Sequence, residues 1–265
     1  MAHDRRPILT QMSDKIMARD IVKGTVGDQF LSTLYATSPD PAAIDWSALP
    51  REYVCKVNHM SGGVIIVWDG APAECSLPSK PSLTDSIIQI RPERMDSERM
   101  IEILKYWLSL DYSWRPGKQF VEWAYQDIAR AVLVEELLLD DSGGIPKDYR
   151  FYVFNGVAEI VIVDGHMTKA RTKACMSMDW RVHPAKKKGM IRTTPSPLRP
   201  TNWDEMKEAA EQLGSLVDFV RVDLYDLGNR VVFGELTNYP SAASSPFVPR
   251  RYERVLGDLW TIEGY

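Results

Sequence analysis

Apolar and polar positions alternate over residues 219–225. Val220, Val222 and Leu224 fall on one side and Arg221, Asp223 and Tyr225 on the other, the period of a β-strand with one buried face. Leu227-Gly228-Asn229 supplies a turn and residues 230–236 run back, so the stretch predicts a hairpin. With the turn centred near Asn229, Asp223 and Glu235 stand roughly opposite each other.

The earlier chain reads by the same rules. Residues 13–24 predict a helix with Ser13 or Asp14 as N-cap, Ile16, Met17, Ile21 and Val22 apolar, and Lys15 and Arg19 on one face. Residues 38–50 form a Pro-rich connector. Residues 53–58 and 64–68 predict strands around the loop His59-Met60-Ser61-Gly62-Gly63. Residues 70–95 hold several prolines and no clear period, as in a long connection or flap. Residues 96–110 predict an amphipathic helix capped by Asp96, burying Met100, Ile101, Leu104, Trp107 and Leu108.

Residues 131–138 are a mostly apolar strand ending in acids, followed by the turn Asp140-Asp141-Ser142-Gly143-Gly144. Residues 147–154 and 157–163 predict two strands around Asn155-Gly156, a strong hairpin signal. Residues 169–188 are basic and read as irregular. Thr201 is expected to cap a helix reaching Leu216, with Met206, Ala209, Ala210, Leu213 and Leu216 inward.

Composition narrows the picture by exclusion. The 265 residues are 45% hydrophobic and 26% charged, with a net charge of −4, so nothing favours nucleic acid or an anionic membrane as partner. No apolar run approaches the roughly 20 residues that span a bilayer, so no membrane insertion is expected. The first residues lack the apolar core of a signal peptide. Cys55, Cys75 and Cys175 have no metal spacing and fit a reducing cytoplasm. The length allows one large domain or two lobes.

Candidate chemistry centres on the hairpin. Opposed carboxylates on paired strands repel unless a cation lies between them, and rigidly held oxygen ligands suit Mg²⁺. Arg221 projects on the same face, where it can neutralise phosphate or a developing oxyanion. Asn238-Tyr239-Pro240-Ser241, directly after the second strand, adds oxygen ligands. Read alone, the stretch is equally a solvated hairpin. A Ser-Gly-Gly tip can bring backbone N–H groups close to phosphate, with Lys56 as a point charge, although such a tip is more often only a turn.

A series of segments then carries a resemblance: Asp14-Lys15 with Arg19; Tyr53-Val54-Cys55-Lys56-Val57-Asn58-His59 with Ser61-Gly62-Gly63; Glu122-Trp123-Ala124-Tyr125; Glu135-Glu136; Asp148-Tyr149-Arg150-Phe151 with Phe154-Asn155-Gly156; Arg221-Val222-Asp223-Leu224-Tyr225; and Phe233-Gly234-Glu235-Leu236-Thr237. In order and spacing these span nearly the whole chain, which resembles the ATP-grasp superfamily and most closely its TupA-like branch, named for teichuronopeptide biosynthesis. The resemblance implies an α+β fold in which two lobes with antiparallel sheets enclose ATP. It implies an ATP- and Mg²⁺-dependent carboxylate–amine ligase that passes through an acyl phosphate and releases ADP, in peptide or cell-surface polymer biosynthesis.

Residue by residue, the resemblance implies that Lys15 and Lys56 hold phosphates while Ser61, Gly62 and Gly63 close over them. Glu135, Glu136, Leu137 and Leu138 form the hinge beside adenine, Asp148 meets the ribose, and Asp223 and Glu235 bind Mg²⁺, with Thr237 or Asn238 completing the shell. Arg221, and Lys56 beside its phosphate role, act as catalytic groups. The implied organisation is an N-terminal helical and linker segment (1–50), a small lobe with the flap (51–135) and a large lobe with hinge strand and metal hairpin (136–265). The implied partners are a carboxylate donor and an amine acceptor; relatives are often homodimers, but no interface signal is legible here.

Two departures bear on the site. Thr237 stands where many relatives have Asn, and Met167 where the branch is expected to carry Arg, with Arg171 and Lys173 nearby as substrate-facing candidates. A phosphotransferase on the same scaffold, or a non-catalytic nucleotide-binding subunit, are the alternative readings.

Overall fold

A computed structural model describes residues 4–82, 87–113, 122–165 and 172–262. In chain order the elements are α1 (Pro7–Ser13), α2 (Met17–Thr25), β1 (Leu34–Ser38), β2 (Tyr53–Val57), β3 (Val64–Val67), β4 (Ile87–Ile90), α3 (Ser97–Ser109) and β5 (Val132–Glu135). There follow β6 (Asp148–Phe154), β7 (Val157–Asp164), β8 (Thr172–Ser177), β9 (Lys186–Lys187), β10 (Ile191–Arg192), α4 (Trp203–Gly214), β11 (Phe219–Asp226), β12 (Val231–Thr237), β13 (Phe247–Val248) and α5 (Arg251–Asp258). The chain divides into two compact units, Met1–Met17 with Ser32–Leu137, and Ala18–Leu31 with Leu138–Tyr265. Both are mixed α+β.

The first unit carries a five-stranded sheet in the order β1-β5-β2-β3-β4, antiparallel except for β3 and β4. Tyr53, Cys55 and Val57 of β2, Ile65 and Val67 of β3, and Val132 and Val134 of β5 share one core with α3. The Asp96 carboxylate accepts from Arg99 N at 3.1 Å and so caps α3. That helix buries Met100, Ile103, Leu104 and Trp107; Ile101 and Leu108, expected inward, are only partly buried.

Two further expectations are corrected in this part of the chain, and one strand is added to them. Residues 70–95 contain β4, a four-residue edge strand. Residues 34–38, close before the connector, form β1. The helix expected over 13–24 starts only at Met17: Ser13 ends α1, and residues 14–16 separate it from α2. Pro7 lies in the first turn of α1, and its last residue, Ser13, returns its hydroxyl to Leu9 O at 2.9 Å. Asp14 is extended and accepts from Ile16 N at 2.8 Å just ahead of α2, so Lys15 precedes that helix.

The second unit holds a six-stranded sheet in the order β10-β8-β7-β6-β11-β12, antiparallel from β8 to β12. Asn155 and Gly156 turn β6 into β7 with φ of 47° and 81°, the positive pair such a hairpin requires. One face packs on α4 through Trp203, which stacks on Phe151 with ring centroids 5.4 Å apart, and through Met206, Ala209, Ala210 and Leu213. Asn202, not Thr201, precedes α4, and its side chain bonds Asp226 at 2.7 Å and Gly228 O at 3.1 Å. Leu216 lies past the helix end and is exposed. The basic stretch expected to be irregular contains β8, whose Ala174, Cys175 and Met176 are buried against β7.

Candidate active site

Strand pairing assembles the site in the second unit. Asp223 pairs with Glu235 and Arg221 with Thr237, and Gly234 is left without a cross-strand partner, a bulge that re-aims the strand locally. On the other side of β11, Asp223 pairs with Arg150, Arg221 with Tyr152 and Tyr225 with Asp148. Asp148 pairs in turn with Asp164, and Asp164 with Lys173. Because side chains alternate across a sheet, these register positions share the face opposite α4.

The side chains connect along that face. Arg221 donates from Nε to Asp223 Oδ1 at 2.7 Å and from Nη2 to Asp223 Oδ2 at 2.6 Å, and its Nη2 is 3.4 Å from Glu235 Oε2. Arg150 Nε donates to Asp148 Oδ2 at 2.7 Å and lies 3.9 Å from Asp223 Oδ2, while its Nη2 is 3.1 Å from Asp164 Oδ2. Lys173 Nζ is 2.6 Å from Asp164 Oδ2. Among the described residues, three cations are paired with these four carboxylates.

Burial pushes the Asp223 carboxyl up, Arg221 and Arg150 pull it down, and Asp148 adds to the rise. Burial alone would lower Arg221, but Asp223 and Glu235 outweigh it and hold the guanidinium charged. The cation expected between Asp223 and Glu235 is thus, in this structure, the guanidinium of Arg221. Among the described residues no group of three or more His, Cys, Asp or Glu is placed to hold a metal. An ion on this face would have two protein carboxylates, with its other positions taken by further oxygens, which suits Mg²⁺. A fitting donor is present: Thr237 Oγ1 is buried and makes no hydrogen bond, two residues along β12 from Glu235. Asn238 lies beyond the strand and lines a cavity next to it.

The first unit groups the other candidates. Lys15 Nζ donates to Met60 O, the residue before Ser61-Gly62-Gly63. Gly62 and Gly63 have φ of 82° and 64°, and a Cβ on Gly63 would come within 2.5 Å of Val57 Cγ2. Asn58 anchors the base of this loop, bonding Asp14 Oδ1, Ala129 O and Ala131 N at 2.9 Å each. Lys56 is ion-paired to Glu135, whose other oxygen accepts from Ser32 Oγ at 2.8 Å. Glu136 Oε2 accepts from Thr33 N at 3.0 Å. Leu137 and Leu138 stand where the chain passes from one unit to the other.

Asp148 is buried and bonded to Arg150. Arg171 and Met167 lie outside the described residues. Sequence reasoning did not single out Arg150 and Asp164 as site residues. Their signal was available: Arg150 alternates with Asp148 on one strand, and Asp164 ends the strand that the Asn155-Gly156 turn folds back onto it.

Two α+β units with antiparallel-rich sheets, one bearing a glycine-tipped hairpin and the other a carboxylate hairpin, define the ATP-grasp class. A family model, TupA-like ATPgrasp, matches residues 1–261, and the chain belongs to that family. No curated protein matches it in sequence. Among solved structures it is similar to D-alanine–D-alanine ligase from Bacillus anthracis complexed with ATP (13% identity, 95% of this chain and 63% of that one, TM-score 0.48). It is also similar to L-amino acid ligase from Bacillus licheniformis (12% identity, 88% and 45%, TM-score 0.46). A third is the ATP-grasp ligase PsnB complexed with a phosphomimetic variant of its minimal precursor, Mg and ADP (10% identity, 96% and 61%, TM-score 0.42). The match spans less than two thirds of the length of each of these three. No described helix is long and apolar enough to cross a membrane.

Proposed function

We propose that the protein is an ATP- and Mg²⁺-dependent ligase that activates a carboxylate as an acyl phosphate and joins it to an amine, releasing ADP. The observation that carries this reading is the cross-strand pair Asp223 and Glu235 with Arg221 against both, within a chain of the TupA-like ATP-grasp family. Asp223 and Glu235 would hold Mg²⁺, with Thr237 Oγ1 or Asn238 Oδ1 as a third oxygen. The ion would neutralise triphosphate charge.

The chain's own residues supply the rest. ATP carries about four negative charges, and a second anion must approach it, so fixed cations are required where the two meet. Arg221, held in one orientation by Asp223, is assigned to the acyl phosphate and to the oxyanion that follows. Arg150 and Lys173, paired with Asp148 and Asp164, lie along the same face and would serve an anionic substrate only by exchanging those carboxylates for it. In the first unit, Lys56 and Lys15 are assigned to phosphates, Ser61-Gly62-Gly63 to their backbone contacts, and residues 135–138 to the adenine edge. For Lys56 this requires exchanging Glu135 for phosphate when nucleotide arrives. Free Cys55, Cys75 and Cys175 are consistent with a cytoplasmic setting.

The test is to incubate the protein with ATP, Mg²⁺ and pools of carboxylates and amines, following ADP and amide. Pool-dependent ADP release with amide formation is expected. A stable phosphorylated product without amide would make it a phosphotransferase, and no ATP binding at all would end the reading.

A further inference from the structure

The face that carries the charged row changes character along β6 and β11. Past Asp223 and Arg150, Tyr152 pairs with Arg221, and then Phe154 with Phe219. Here α5 and β13 fold over the sheet and leave a cavity of about 310 Å³ within the second unit. Its walls are rings, including Tyr152, Phe219, Phe247 and Trp260, and its charged groups are Lys187 and Glu253.

Lys187 is placed unusually for a lysine. Its ammonium lies 3.9 Å from the ring centre of Phe247 and 5.2 Å from that of Tyr152, and it donates to Ser245 O at 2.8 Å. No other described group accepts from it, so two of its three donors remain for a ligand. Cation–π contact offsets part of the cost of burying the charge. Glu253 accepts from Phe247 N through one oxygen and keeps the other.

We propose that this cavity binds the amine substrate, an α-amino acid with an aromatic or large aliphatic side chain, its carboxylate on Lys187 and its ammonium toward Glu253. The inference rests on the ligase reading and names the acceptor for it. The volume is at the low end of small-molecule sites, about 300–1,000 Å³, and holds one amino acid. Ring walls select an apolar side chain, and one fixed charge of each sign matches a zwitterion. Position supplies the link to chemistry, because Tyr152 is the cross-strand neighbour of Arg221, and Asn238, which also lines the cavity, directly follows the strand bearing Glu235. Burial lowers Lys187 to about 8, so the cavity already favours an anion that restores its charge.

The test is calorimetric titration of the full chain, with Mg²⁺ and a non-hydrolysable ATP analogue present, using both enantiomers of phenylalanine and of leucine, then alanine and phenethylamine. Phenylalanine or leucine should bind at least about tenfold more tightly than alanine, and phenethylamine, which lacks the carboxylate, at least about tenfold more weakly. Lys187→Met should lose the same factor while the nucleotide titration is unchanged. Phe247→Ala, checked for a native melting transition, should erase the preference over alanine. Equal binding of phenylalanine and alanine, no amino-acid binding in a protein that binds the analogue, or undiminished binding by Lys187→Met would overturn the proposal. Lys187-dependent phenylalanine binding in a protein that binds no nucleotide would uphold the cavity and sink the ligase.

Discussion

Arg221 and Asp223 are locked as a fork, two nearly parallel hydrogen bonds of 2.7 and 2.6 Å between groups two residues apart on one strand. The pair is buried, so each charge depends on the other. Asp223→Ala would leave the guanidinium with Glu235 at 3.4 Å as its nearest remaining carboxylate and should cost about 3 kcal/mol of stability. Glu235, with 29% of its side chain exposed, should cost less than about 1 kcal/mol when changed to Ala. Both changes should lower ADP release by at least about a hundredfold. Urea unfolding beside the turnover assay separates the two effects. An Asp223→Ala protein as stable as the parent would contradict the fork.

Lys56 raises a different question, since its partner Glu135 is also a hinge candidate. Lys56→Met should raise the KM for ATP at least about tenfold and destabilise by about 1–3 kcal/mol, because the buried Glu135 carboxylate loses its ion pair while keeping the Ser32 hydrogen bond. Adding Glu135→Gln should recover stability but not the KM. Recovery of both would reduce the pair to a structural contact.

Gly63 tests the flap. Its φ of 64° and the 2.5 Å approach to Val57 Cγ2 make Gly63→Ala strained, at about 1–2 kcal/mol. The expected result is a lower melting temperature together with weaker nucleotide binding, read by titration with ADP and Mg²⁺. Normal affinity in the folded variant would remove this turn from the phosphate site.

Acid should weaken the fold through His59. Its ring is buried, Nε2 is 3.2 Å from Leu110 O and Nδ1 makes no hydrogen bond. Burial lowers its pKa from 6.5 to about 4. The unfolded chain therefore takes up a proton below pH 6.5 that the folded chain refuses until about pH 4. This contribution is complete above pH 6.5 and is lost as pH falls through that window, by at most about 3 kcal/mol. Denaturant midpoints from pH 8 to 4.5 should fall, and a His59→Gln protein should show a flatter profile. Identical profiles would exclude His59 as the source.

Much of the architecture was legible because its signals are local. Period-two alternation with a short turn sets the register of β11 on β12, and Asn155-Gly156 does so for β6 on β7. Asp96 and the apolar stripe announced α3, although the helix buries Ile103 more deeply than Ile101 because the facing sheet selects the centre of the stripe. The two edge strands escaped notice for a common reason. β1 is mostly exposed and β4 only four residues long, so neither shows enough alternation to stand out. In β8 the lysines hid a buried Ala-Cys-Met core.

From its residues alone the chain declared a carboxylate hairpin, a glycine-tipped hairpin with a nearby lysine, and a family. It did not declare that Asp223 of β11 comes beside Arg150 of β6, nor that rings from β6, β11 and β13 and residues of α5 line a cavity with Lys187. A turn constrains residues a few positions apart, so its outcome is written where it acts. The Arg150 junction and the ring-lined cavity bring together strands tens of residues distant, and their partners are chosen when the sheet orders itself and buries one face against α4.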